Sequence, residues 1–227
     1  MHIQFLRHSF FKVAFDKTTV LFDPFIYTSS TDENFKVLTP CPLTEKDLGK
    51  VDLILVSQEH FDHFDKKAIE SIAKQHNSVV VSHESVLNEL SLPPSQIKPV
   101  KIGDLFSCRG VNVEVKSAHQ PNSFYPVSFL LEQGGKKVFF AGDTHLTDQF
   151  SEVRADVALL PIGGNLTMDV TDAVKAAKTI KPAYAIPMHY NTFPIIQADP
   201  LEFSQRIEKS ILKTKPVILK PGETFEF

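Results

Sequence analysis

The sequence predicts an α/β layered sandwich, two mixed sheets face to face with helices outside. Three observations carry this reading. Blocks of strand-like sequence open the first and middle parts of the chain. Each block is followed by alternating strands and helices, so the chain reads as two similar halves. No linker or low-complexity stretch divides the 227 residues, and one domain spanning residues 1–227 is expected at this length.

The first quarter gives three strands, HIQFL, FFKVAF and TTVLFDPF, separated by polar breaks at residues 7–9 and 16–17 that suit tight turns. Residues 26–50, rich in Ser, Thr, Asp and Pro, read as a long loop. A buried strand, VDLILVS, then runs into SQEHFDHFD, residues 57–65. Asp65 is placed to cap a helix, KKAIESIAKQ, in which Ala68, Ile69, Ile72 and Ala73 fall at helical spacing. A strand, NSVVVS, a short helix over residues 84–90 and a Pro-containing connector follow.

The second strand block comprises the segment through Phe106, then VNVEVKSAH, VSFLLEQ and KVFFAGD, with Gly134 and Gly135 as a hairpin turn. The last third alternates strand DVALLPIGG, helix MDVTDAVKAAKTI, strand AYAIPMH and helix LEFSQRIEKSI. It closes with strands PVILK and TFEF.

Composition narrows the function. Hydrophobic residues at 42% and charged residues at 22% are ordinary for a globular protein. A net charge of −3 gives no broad attraction to nucleic acid or anionic membrane, so the expected partner is a small-molecule substrate. The N-terminal strand is interrupted by Arg7, His8 and Lys12, unlike a signal peptide, and no run approaches a membrane span. Cys41 and Cys108 are far apart and outside any CxxC pattern, which fits reduced thiols in a cytoplasmic protein. A homo-oligomer is left open.

Four strands end at residues able to bind metal: the one before His60, Asp62 and His63, and those ending at His119, Asp143 and His189. Singly, each is more simply a turn residue or a cap. Together they are what a site needs if rigid strands are to aim side chains into one cleft. In SQEHFDHFD, positions two apart point to one side and adjacent ones diverge, so neighbours can serve two different ions. Imidazole and carboxylate are the usual ligands of Zn²⁺ and similar ions.

The run HFDH, with AGDT at residues 141–144 and PMHYNTFP at 187–194, resembles the metallo-β-lactamase superfamily. LRHSFF, LFDPF, LLPIGGNLTM and VILKPGETFEF extend the likeness over nearly the whole chain. Within the superfamily it is similar to small single-domain metal-dependent hydrolases related to the L-ascorbate 6-phosphate lactonase. The resemblance implies a four-layer αββα sandwich and a divalent metal centre, Zn²⁺ with Mn²⁺ as the alternative, holding one or two ions per chain. One ion is expected on His60 and His119 with help from position 58, the other on Asp62, His63 and His189, with Asp143 bridging. A metal-bound hydroxide is then expected to attack a small ester, lactone or phosphoester. Asp62 and His63 are placed in catalysis, Asp62 or a metal-bound water supplying the leaving group's proton. The superfamily's nucleases and flavin-dependent members carry extra domains for which this length has no room.

Four further residues have two readings each. Asp23 either supports the metal loop by hydrogen bonding or forms an Asp-Pro turn. His8, following Arg7 where the group usually has glycine, is either at the active-site rim or structural. Tyr190 and Asn191, directly after a ligand, either line the substrate pocket or form a turn. Gly163 and Gly164 are expected to allow close backbone approach to the cleft.

Position 58 departs from the family's pattern, with glutamine where a ligand histidine is usual. An amide oxygen is a weaker donor to Zn²⁺ than imidazole. Three outcomes are open: a weakened pair of ions, a single ion on Asp62, His63 and His189, or a shift toward Mn²⁺. The leading expectation is a hydrolase with a compromised first site; the alternative is a metal-binding protein of the same fold with weakened or lost catalysis.

Overall fold

The computed structural model describes residues 1–27 and 30–227. The long loop expected over 26–50 includes residues 28 and 29, which lie outside the described residues.

Strands β1 (His2–Arg7), β2 (Phe10–Ala14), β3 (Thr19–Phe22), β4 (Leu53–Leu55), β5 (Val79–Ser82), β6 (Ile97–Pro99) and β14 (Thr224–Glu226) form one sheet, in the order β14-β1-β2-β3-β4-β5-β6. Strands β7 (Leu105–Cys108), β8 (Val111–Ser117), β9 (Val127–Gln133), β10 (Lys136–Phe140), β11 (Val157–Pro161), β12 (Tyr184–Met188) and β13 (Lys215–Pro216) form the other, in the order β13-β12-β11-β10-β9-β8-β7. Both sheets are mixed: β14 to β3 and β7 to β10 pair antiparallel, while β3 to β6 and β10 to β13 pair parallel.

Each sheet buries both faces, so its central strands are continuously apolar rather than alternating. In β4, Leu53 and Leu55 join Phe22, Phe129 and Phe140 between the sheets. Ile54 points the other way, onto Ala68, Ile69 and Ile72 of helix α1 (Lys66–His76). The Phe22 and Phe140 rings stack across the layers with centroids 4.4 Å apart, a contact adding about 0.5–1.5 kcal/mol beyond area burial. A short helix α2 (Glu84–Leu87), then α3 (Val170–Ile180) and α4 (Pro200–Glu208), complete the outer layers. This is the four-layer arrangement expected from the sequence.

Two details differ from the sequence reading. The connector before residue 100 contributes an edge strand, β6, paired parallel to β5. Of PVILK, only Pro216 joins the named strand β13, together with Lys215 before it.

Other local signals hold. Gly134 and Gly135, with φ of 61° and 77°, form the two-residue turn that brings Gln133 opposite Lys136. Asp65 caps α1 by accepting from the Ala68 N–H at 3.1 Å, and its other oxygen accepts from the Ile26 N–H, pinning the long loop to the helix start.

The parallel strands β3, β4, β10, β11 and β12 end on one rim. Such carboxyl ends are where open α/β sheets build their sites.

Candidate metal centre

Five short segments converge on that rim. The turn between β1 and β2 supplies His8, the end of β3 supplies Asp23, and the loop after β4 supplies Ser57, Gln58, Asp62 and His63. The ends of β10 and β12 supply Asp143 and His189. His8, Asp23 and His189 all take positive φ, at 58°, 42° and 55°. Such conformations cost a non-glycine residue free energy, which the surrounding contacts must supply. For His8 and His189 one contact is mutual: the His189 N–H donates to the His8 carbonyl at 2.9 Å.

Gly163 lets this joint close. A Cβ there would lie 2.1 Å from the His189 carbonyl oxygen, so no side chain fits. Gly164 has no such crowding and is set apart by its φ of 67°. The close approach expected of the pair belongs to Gly163 alone.

His8, Asp62, His63 and His189 are buried and can each offer one donor atom, all within 4.8 Å of one another. Asp143 lies among them, its Oδ2 3.0 Å from His63 Nε2 and its Oδ1 3.2 Å from His189 Nε2. His8 Nε2 is 3.2 Å from Asp62 Oδ2. Despite these short distances, His8 Nε2, His63 Nε2 and Asp143 Oδ1 are buried and make no aligned hydrogen bond. Buried polar atoms that converge without pairing suit a cation at their centre better than they suit each other. The donor set therefore fits a divalent metal.

The supporting contacts are specific. Asp23 Oδ1 accepts from the Ser57 N–H at 2.7 Å, and Oδ2 accepts from the Ser57 hydroxyl at 2.6 Å. Oδ2 also lies 2.6 Å from His63 Nδ1, which turns Nε2 of that ring toward the cluster. Of the two readings of Asp23, this is the supporting role. Gln58 donates Nε2 to Asp143 Oδ2 at 2.8 Å, while its Oε1 is buried without a hydrogen bond.

Burial opposes every charge in this cluster, and for His63, Asp143 and Asp62 the neighbours outweigh it. Asp143, Asp62 and Asp23 overcome burial to hold His63 well above the ordinary imidazole range. Asp143 is held well below the usual carboxylate range by His189 and His63 against the same penalty, and Asp62 is held low by His63 and His8. His8 has the opposite fate: burial, with His189 beside it, pushes its pKa down to about 3, so it stands as neutral imidazole able to ligate.

The remaining expected residues lie elsewhere. His60 is half-buried on the wall of the cleft, its Nε2 3.3 Å from the Asn122 carbonyl. His119 is exposed, with its ring 5.7 Å from that of His145 and its N–H donating to the Thr144 hydroxyl. The two ligands expected of a first ion therefore lie outside the four-donor group. Tyr190 and Asn191 do not line the cleft. Tyr190 stacks toward Phe5, and burial pushes its pKa up to about 12. Asn191 bonds both the N–H and the carbonyl of Ala198, closing its own loop. Sequence reasoning missed Ser57 and the inward aim of His8, and it missed the hydrophobic cleft walls, whose one signal was the Phe interleaved in HFDHF.

The sequence profile described as Beta-lactamase superfamily domain matches residues 2–189, a span that begins in β1 and ends on the last histidine of the cluster. The chain belongs to the metallo-β-lactamase superfamily. It is 39% identical over 242 residues to a UPF0173 metal-dependent hydrolase of Staphylothermus marinus, covering 99% of this chain and 98% of that one. It is 36% identical over 236 residues to its counterpart in Carboxydothermus hydrogenoformans, covering 98% of each. Among solved structures, Igni18, a metallo hydrolase of Ignicoccus hospitalis, superposes with a TM-score of 0.83 at 29% identity, covering 100% of this chain and 98% of that one. With these full-length relatives and a buried donor cluster that fits a cation, this superfamily member is a metal-dependent hydrolase.

Proposed function

We propose that the protein hydrolyses a small ester, lactone or phosphoester at this centre, in the cytoplasm. The observation that carries the reading is the convergence of His8, Asp62, His63 and His189 on one point, with Asp143 against them. These residues would hold the ion. Zn²⁺ suits three imidazoles with carboxylates, and the extra oxygen donors make Mn²⁺ the alternative. When bound, a divalent ion acidifies a water and stabilises negative charge on a substrate oxygen.

This chain's own groups do the rest. Asp62 and Asp143 both border the cleft, and Asp62 is the less buried, its side chain 12% exposed against 4%. Asp62 is the group placed to accept a proton from the attacking water and return it to the leaving oxygen. His8 Nε2 faces Asp62 Oδ2 at 3.2 Å, and Asp23 fixes the tautomer of His63. Free thiols at Cys41 and Cys108 accord with the cytoplasmic placement.

Elemental analysis followed by assay with added Zn²⁺ or Mn²⁺ tests the reading. Metal-dependent turnover of an ester, lactone or phosphoester, lost in Asp143→Asn, is expected; turnover unaffected by chelation refutes it. A second reading, a metal-binding protein with lost catalysis, is favoured by one observation: Gln58 spends its N–H on Asp143 where a ligand histidine is expected. Bound metal without turnover of any of the three substrate types would select it.

A further inference from the structure

The cleft above the cluster has a volume of about 300 Å³, at the lower end of the range for small-molecule pockets. Its floor is polar, with Asp62, Asp143 and His189, but much of its wall is apolar. The rings of Phe35, Phe61 and Phe193 meet edge-on or tilted, with centroids 5.6 to 5.9 Å apart, a rigid aromatic surface. Leu166, Ile195 and Ile196 continue it. No Lys or Arg lines the cleft among the described residues. The two floor carboxylates balance the charge of one divalent ion, leaving no surplus for a phosphate dianion.

Leu166 supplies an independent observation. Its φ is 74°, a conformation that glycine adopts freely and leucine rarely does. The residue is nevertheless 39% exposed and lines the cleft. The loop holds it there through the Gly164 N–H on the Met168 carbonyl and the Thr167 hydroxyl on the Gly164 carbonyl. A leucine that strains its backbone and remains exposed serves neither the backbone nor the core. Strain of this kind points to a role for the side chain itself.

We propose that the cleft takes an uncharged carboxylic ester or lactone bearing an apolar acyl or aromatic group, seated against Phe35, Phe61, Phe193 and Leu166, and that Leu166 sets this preference. The inference rests on the hydrolase reading and narrows its substrate class. Water adds to the carbonyl carbon, the acyl C–O bond breaks, and the alcohol leaves with a proton, so ester plus water gives acid plus alcohol.

The test uses the metal-loaded full chain with p-nitrophenyl acetate, p-nitrophenyl hexanoate and p-nitrophenyl phosphate. The hexanoate is expected to exceed the acetate in kcat/KM by about tenfold, with the phosphate below both. Leu166→Gly is expected to bring the hexanoate-to-acetate ratio close to one, while Tm stays level or rises and bound metal is unchanged. A native ratio near one, a preference for the phosphate, or a ratio preserved in Leu166→Gly overturns the inference. If no substrate turns over, the hydrolase reading fails separately and calorimetry with butyl phenyl ether decides this one. Binding that weakens about tenfold in Leu166→Gly supports it, and equal or absent binding overturns it.

Discussion

Gln58 Nε2 and Asp143 Oδ2 are joined by a buried 2.8 Å hydrogen bond at the point where the superfamily pattern calls for a histidine. The amide spends its donor on a carboxylate that also faces His63 and His189. Asp143 thus sits against the four-donor group, while His60 and His119 lie outside that group. Gln58→His is expected to raise bound metal by about one ion per chain and to raise turnover. Equal metal content by elemental analysis after dialysis would count against this.

Asp23 accepts from Ser57 twice and fixes His63 from behind. Asp23→Asn keeps the size but must present an N–H or a weaker acceptor to one of these groups. Metal affinity is expected to fall about 10- to 100-fold, as for other outer partners of ligand histidines. Competition against a chromophoric chelator measures it, and an unchanged Kd would remove Asp23 from the support of the centre.

The metal-free protein holds His63 as imidazolium among Asp143, Asp62 and Asp23. A cation needs this ring neutral, so binding must expel its proton, and apparent affinity rises with pH until His63 deprotonates on its own. Calorimetry at neutral pH in buffers of differing ionisation enthalpy is expected to report release of about one proton per ion. The sign for stability follows from the same shifts. Because His63 is raised, its contribution to the metal-free fold is present below the ordinary imidazole pKa and is lost as pH rises through the folded value. Because Asp62 and Asp143 are lowered, theirs is present above the ordinary carboxylate pKa and is lost as pH falls through the folded values. Metal-free protein that melts at the same temperature from acid to alkaline pH would contradict this.

Gly163 faces the His189 carbonyl with no room for a methyl group. Gly163→Ala is expected to cost about 3 kcal/mol and to displace His189, lowering Tm and metal retention together. Gly164→Ala, strained in φ but uncrowded, should lower Tm with much less loss of metal. Equal metal retention in the two variants would contradict the assignment of close approach to Gly163.

The strands, the helix cap at Asp65 and the cluster residues Asp62, His63, Asp143 and His189 are legible in the sequence because each follows from local pattern: an apolar run, then a polar residue at its end. The course of a loop after a strand is not local. β8 ends at Ser117, two residues before His119, whose N–H is held by the Thr144 hydroxyl and whose side chain is exposed. His8 reads as a turn residue, but its inward aim depends on a φ of 58° and on contact with β12. The cleft walls come from residues 35, 61, 166 and 193, which no periodicity connects.

The bond from the His189 N–H to the His8 carbonyl also crosses from one sheet to the other. His8 lies in the hairpin between β1 and β2 and His189 follows β12, so the donor set exists only where the two sheets are packed together. An ion held by these donors would tie one sheet to the other at that rim, so metal is expected to act as a clasp on the fold.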